Sequence, residues 1–179
     1  MSKDIEDMPS TDSLEGVYCK RCGRPHLTKD LEVDEETMKE YTRCALGGKP
    51  FSRTFNVLNN ELQVTFLALP AEFEVALERL QAIADSDMYA IDLRMLLTLE
   101  SIKVFDPDTS GMKTVYFADL EKRRAILEAP KKALEELASD VDAVLLGVLR
   151  RMSSTFVVLQ NAILENIVNK DFYEGVGLV

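Results

Sequence analysis

The chain has 179 residues, 46% of them apolar, 29% charged, and a formal net charge of −10. That length and apolar content allow a self-supporting core without disulfide staples, and the acidic balance disfavours a nucleic-acid partner because it repels phosphate backbones. No run of roughly 18 apolar residues free of charge occurs, so no membrane-spanning helix and no membrane partner are expected.

Residues 1–16 carry Asp4, Glu6, Asp7, Asp12 and Glu15 and little apolar content. They read as a flexible acidic tail and lack the apolar core of a secretory signal. Residues 17–48 follow as a small metal-binding module. Its core is Cys19-x2-Cys22-x3-His26, with Cys44 seventeen intervening residues further on. Two cysteines two residues apart can turn both thiolates toward one ion, and Gly23 supplies the backbone freedom such a knuckle needs. The chain's three cysteines and single histidine all fall between residues 19 and 44. Three sulfurs and one imidazole nitrogen are the donor class of structural Zn2+. Cys44 is the most distant donor, and Asp30 or Glu32 could stand in its place. Asp34-Glu35-Glu36-Thr37 reads as a helix start, running to about Leu46 and stopping at Gly47-Gly48.

Residues 49–179 are expected to form a hairpin plus a helical domain. Phe51–Leu58 and Glu61–Leu67 are rich in strand-favouring residues and flank Asn59-Asn60, which tolerates the positive φ of a tight turn. After Pro70, the spacing of Phe73, Leu77, Leu80 and Ala84 predicts a helix. A second helix is predicted from Met88 to about Ile102. Asp106–Gly111 is a turn cluster between Val104-Phe105 and Thr114–Phe117, which suggests a second, smaller hairpin. Helices are predicted from Asp119 and again from Pro130. The basic residues Lys122, Arg123, Arg124, Lys131 and Lys132 alternate with glutamates, as on a solvent-facing helix. Finally, Val141, Leu145, Val148, Met152, Phe156, Leu159, Ile163 and Ile167 recur every three or four residues. That is the stripe of a long amphipathic helix, packed on the chain's own core or forming a seam with another copy. Phe172–Val179 is too rich in glycine to continue it comfortably, and if exposed it would be a docking peptide. The whole reads as an α+β chain, mainly α: a helical domain with one or two short β-hairpins and an N-terminal zinc knuckle.

The order of Phe51–Phe66 as a hairpin, Leu67–Phe73 as its exit, an acidic amphipathic helix, and the leucine-rich Leu93–Ile102 resembles tail-assembly chaperones and baseplate-hub proteins of contractile-tailed bacteriophages. It covers about residues 51–105. The resemblance implies a non-enzymatic structural or assembly protein of the tail or baseplate, binding other tail and baseplate proteins and possibly itself. It would be found in the virion or, during assembly, in the host cytoplasm. It carries over no catalytic residue. The other reading is a cytosolic zinc-binding adaptor or regulator that dimerises through its C-terminal helix.

Overall fold

The computed structural model describes residues 14–31, 44 and 49–176. In chain order they form β1 (Gly16–Cys19), β2 (Arg24–Leu27), β3 (Ser52–Val57), β4 (Leu62–Leu67), α1 (Ala71–Ala82), α2 (Asp87–Thr98), β5 (Leu99–Asp106), β6 (Gly111–Phe117), α3 (Leu120–Glu128), α4 (Pro130–Asp140) and α5 (Ala143–Val176). The expected helix from Asp34 to Leu46, with its Gly47-Gly48 stop, and most of the acidic tail lie outside the described residues. The chain is mixed α and β, which corrects the expectation of a mainly helical protein. Six strands make one two-stranded and one four-stranded sheet among the described residues. The chain divides into two compact units, Met1–Phe51 with Val158–Val179, and Ser52–Val157.

The correction comes from the second unit, where the two hairpins are not separate ornaments on helices. They join, through β4 and β5, into one antiparallel sheet of order β3-β4-β5-β6. On β4, Leu62, Val64 and Phe66 are buried while Gln63 and Thr65 between them are partly exposed, the period of a half-buried strand. β5 answers in register, with Leu62 opposite Val104 and Val64 opposite Ile102. On the other face the hydroxyls of Thr54 and Thr65 bond across β3 and β4 at 2.9 Å. The turn between these strands uses positive φ at Leu58, Asn59 and Asn60 (52°, 54° and 68°). Asparagine adopts that conformation readily; leucine does so under strain.

The helix predicted for Met88–Ile102 ends at Thr98, and Leu99 already pairs with Phe66. Leucine spacing alone cannot separate a buried helix turn from a buried strand, and the partner strand decides. Arg123 secures the switch. Its Nε donates to the Leu97 carbonyl at 2.8 Å and a terminal nitrogen donates to the Leu99 carbonyl at 3.4 Å. These are carbonyls at the end of α2, where a cation also meets the negative end of the helix dipole. Arg123 is thus 2% exposed, contrary to its expected place on a solvated face. Its neighbours fit that face better: exposed Arg124 lies 3.8 Å from Glu72, and Lys132 lies 3.7 Å from Glu136 one turn on.

The helices begin where side-chain caps allow. Ser86 accepts from the Tyr89 N–H at 3.2 Å, and Asp119 from the Lys122 N–H at 2.8 Å. Pro130 sits in the first turn of α4, and Asp142 accepts from the Leu145 N–H at 2.8 Å. The helix-facing core holds Phe73, Leu77, Leu93, Leu97 and Leu99, each at most 2% exposed, and Phe66 stacks on Phe156 of α5 with centroids 5.8 Å apart. Arg150 of α5 grips Asp92 of α2 with two bonds, 2.6 and 2.7 Å. That hydrogen bond to the carboxylate raises the Arg150 pKa further.

Of the predicted stripe, Met152, Phe156, Leu159, Ile163 and Ile167 are buried in the chain's own interior, Leu145 and Val148 are half-buried, and Val141 precedes the helix. Ala143–Asn169 has the length and apolar composition to cross a membrane, and 33% of that window is buried inside the protein. The face opposite the stripe exposes Arg151, Ser154, Thr155, Asn161 and Glu165. α5 exposes Val144, Val158 and Val168 as well. The helix also continues past Phe172 to Val176, where glycine content had suggested a stop.

Candidate metal centre

β1 and β2 form a tight antiparallel hairpin in which Val17 pairs with His26 and Cys19 with Arg24. Cys19 ends β1, Cys22 lies in the turn, and His26 sits within β2, so the hairpin register alone gathers three donors. Gly23 takes φ 67°, as expected for the knuckle, and its N–H bonds to the Cys19 carbonyl at 2.8 Å. A side chain at that φ would be strained. The Cys22 N–H points at the Cys19 sulfur at 3.4 Å. Such a backbone donor offsets part of the charge of a thiolate. Downstream, the Phe51 N–H bonds to the Pro25 carbonyl at 2.8 Å, which ties the chain after Cys44 back to β2.

Cys44 completes the group. The donor atoms of Cys19, Cys22, His26 and Cys44 all lie within 4.8 Å of one another, and together they could hold a metal ion. Nε2 of His26 is 3.2 Å from the Cys22 sulfur and 3.3 Å from the Cys44 sulfur. Around a tetrahedral zinc, bond lengths of about 2.3 Å to sulfur and 2.0–2.1 Å to nitrogen put S and N roughly 3.6 Å apart. They put two sulfurs roughly 3.8 Å apart. The observed spacings bracket those values, so an ion would need shifts of only a few tenths of an ångström to about 1 Å. Cys19 and His26 are buried, and Cys22 and Cys44 are partly so. The side chain of Asp30 and the whole of Glu32, the alternatives considered for the fourth position, lie outside what the structure describes.

The electrostatics point the same way as the geometry. Burial, and after it hydrogen bonding and charge repulsion from the neighbouring Cys19 and Cys44 sulfurs, push the Cys22 thiol up to about 12. Crowded by two other sulfurs, the Cys22 thiol resists ionisation for want of a counter-charge. A divalent cation among them reverses that preference and displaces the protons. All three cysteines are free of disulfides, as metal ligation requires.

The sequence singled out these four residues; what it missed is Gly16, assigned to the tail but the first residue of β1. A Cβ on it would lie 2.8 Å from the His26 carbonyl oxygen and 2.7 Å from the Ile163 side chain. The only signal was a glycine directly before the strand-like Val17-Tyr18-Cys19. Compared with protein-family models, curated proteins and solved structures, the chain matches none of them.

Proposed function

We propose that this chain is a non-enzymatic assembly protein whose N-terminal module is held in shape by one structural zinc ion on Cys19, Cys22, His26 and Cys44. The observation that carries the reading is the convergence of four soft donors, supplied by a hairpin, its turn and a returning segment. Soft sulfur and imidazole donors in a tetrahedral count favour zinc over calcium or magnesium. With four protein ligands the ion keeps no position for water or substrate, and the only histidine is used in binding it. Both features support a structural role over a catalytic one.

The tail or baseplate setting comes from the resemblance of residues 51–105, so it is tested separately from the metal. The expected partners are other tail and baseplate proteins, in the virion or in the host cytoplasm during assembly, with no role for nucleic acid or membrane. Native mass spectrometry of the purified protein tests the first part: one zinc per chain, absent from Cys19→Ser/Cys22→Ser, supports it. Metal-free protein under zinc-replete conditions rejects it. Fractionating lysates of phage-infected cells tests the second: the chain should travel with tails or tail intermediates. A chain found in neither, and dispensable for tail formation, ends that assignment.

The alternative adaptor reading needs the stripe of α5 as a dimer seam. In the folded chain Met152, Phe156, Leu159, Ile163 and Ile167 are buried, which counts against it.

A further inference from the structure

A second candidate site lies wholly within Ser52–Val157 and shares no residue with the metal centre. It is a cavity of about 490 Å³ bounded by β5 and β6, by α3 and α4, and by single residues of α2 and α5. Small-molecule sites commonly measure about 300–1,000 Å³. Leu96, Ile102, Val104, Ile126, Leu137 and Leu145 give this one an aliphatic wall. Ala125, Ala129 and Ala133 recur every four residues along α3 and α4, and their short side chains leave the space open.

β6 carries a bulge at this wall. Its pairing with β5 steps from Ile102–Tyr116 to Lys103–Thr114, so Val115 is an extra residue. Val115 and Tyr116 therefore both line the cavity, where a regular strand would turn one of them away. The Tyr116 hydroxyl is buried and has no hydrogen-bond partner among the described residues. A buried donor left unpaired is costly, and an acceptor brought to it recovers that cost. Burial also pushes the phenol up to about 12, so at neutral pH it keeps the proton it would donate.

Charges in the wall narrow the choice of acceptor. Lys132 is already held by Glu136 at 3.7 Å, and Glu128 and Asp140 outnumber the remaining Lys122. A carboxylate ligand would meet those acids and lose its hydration. The Lys122 ammonium lies 4.0 Å from the centre of the Tyr116 ring, where it would repel a cationic head. An uncharged carbonyl meets neither obstacle.

We propose that this cavity binds an uncharged, medium-length aliphatic ester or ketone, its chain on the leucine and isoleucine wall and its carbonyl oxygen accepting from the Tyr116 hydroxyl. Because the hydroxyl has no open surface in the empty cavity, the ligand must displace a side chain to reach it. Lys122, whose flexible arm lies on the ring, moves aside. The site is independent of the zinc reading.

The test is a methyl-NMR titration of the full-length protein with methyl octanoate, octanoate and octane. Methyl octanoate should shift the methyls of Ile102, Ile126 and Leu137 saturably, at one site per chain, and leave those of Leu77 and Ile163 in place. Octanoate should bind at least about tenfold more weakly. Tyr116→Phe should weaken the ester about three- to tenfold and leave octane unchanged. Ala133→Leu should fill the cavity and abolish binding of both neutral probes. An absence of saturable shifts at the cavity methyls with the ester overturns the proposal, as does octanoate binding as tightly as the ester. So does an ester affinity that Tyr116→Phe leaves unchanged, since the phenol would then read nothing. Should Ala133→Leu lose the folded spectrum, the Tyr116→Phe arm decides alone.

Discussion

In the sheet unit, β4 sets Leu62, Val64 and Phe66 on one face, and the helices close over them with Phe73, Leu77, Leu93 and Leu97. The hairpin unit is built otherwise: β2 buries Arg24, Pro25, His26 and Leu27, of which only leucine is an ordinary core side chain. Here sulfur and nitrogen donors converge beside the apolar contacts. Apolar burial contributes about 1.5–3 kcal/mol for each large side chain and needs nothing from solution. Metal ligation contributes more per residue and exists only while the ion is present. On the zinc reading proposed above, one chain combines a region held by apolar burial with one whose order depends on an ion.

That contrast can be broken from the sheet side. Phe66→Ala removes a ring stacked on Phe156 and should cost about 3–5 kcal/mol in denaturant unfolding of the sheet unit, with zinc stoichiometry unchanged. Loss of zinc in that variant would mean that the two regions do not hold themselves separately.

Alkaline unfolding sharpens it next. Burial pushes Tyr116 up to about 12 from 10.0, so the folded state favours the neutral phenol. Its contribution is complete below about pH 10 and is lost as pH rises toward 12, amounting to about 2–3 kcal/mol. Tyr116→Phe should flatten that part of a stability–pH curve; a curve unchanged by the substitution would remove Tyr116 from the explanation.

Asp92→Asn leaves Arg150 with one charge-assisted partner fewer at a partly buried site. A loss of about 1–2 kcal/mol is expected, with little relief from added salt. The smallest effect runs the other way. Leu58 is 68% exposed at φ 52°, so Leu58→Asn should gain up to about 1 kcal/mol by easing the turn.

How much of this was legible in the sequence divides along the same line. Local signals were readable: Asn59-Asn60 in a turn, Asp119 at a helix start, Pro130 opening another, and donors whose spacing needs only a hairpin and a return. Long-range pairing was not. Nothing in Leu62–Leu67 or Leu99–Asp106 names the other as its partner, and without that partner Leu99–Ile102 continues the leucine spacing of a helix. Joining the hairpins turns an expected accessory into a four-stranded sheet. Arg123 was hidden for a related reason: among basic and acidic neighbours its type says surface, and only the carbonyls of Leu97 and Leu99 make burial favourable. Gly16 escaped notice because a close approach between β1 and α5 leaves no mark on either segment alone.

Most directly at stake is a single ion bound by three cysteines and one histidine. X-ray absorption at the zinc edge of the purified protein measures that shell without reference to any partner. The expected spectrum has three sulfurs at about 2.3 Å and one nitrogen at about 2.0–2.1 Å. A shell of oxygen and nitrogen only, or no bound zinc after reconstitution, would contradict it.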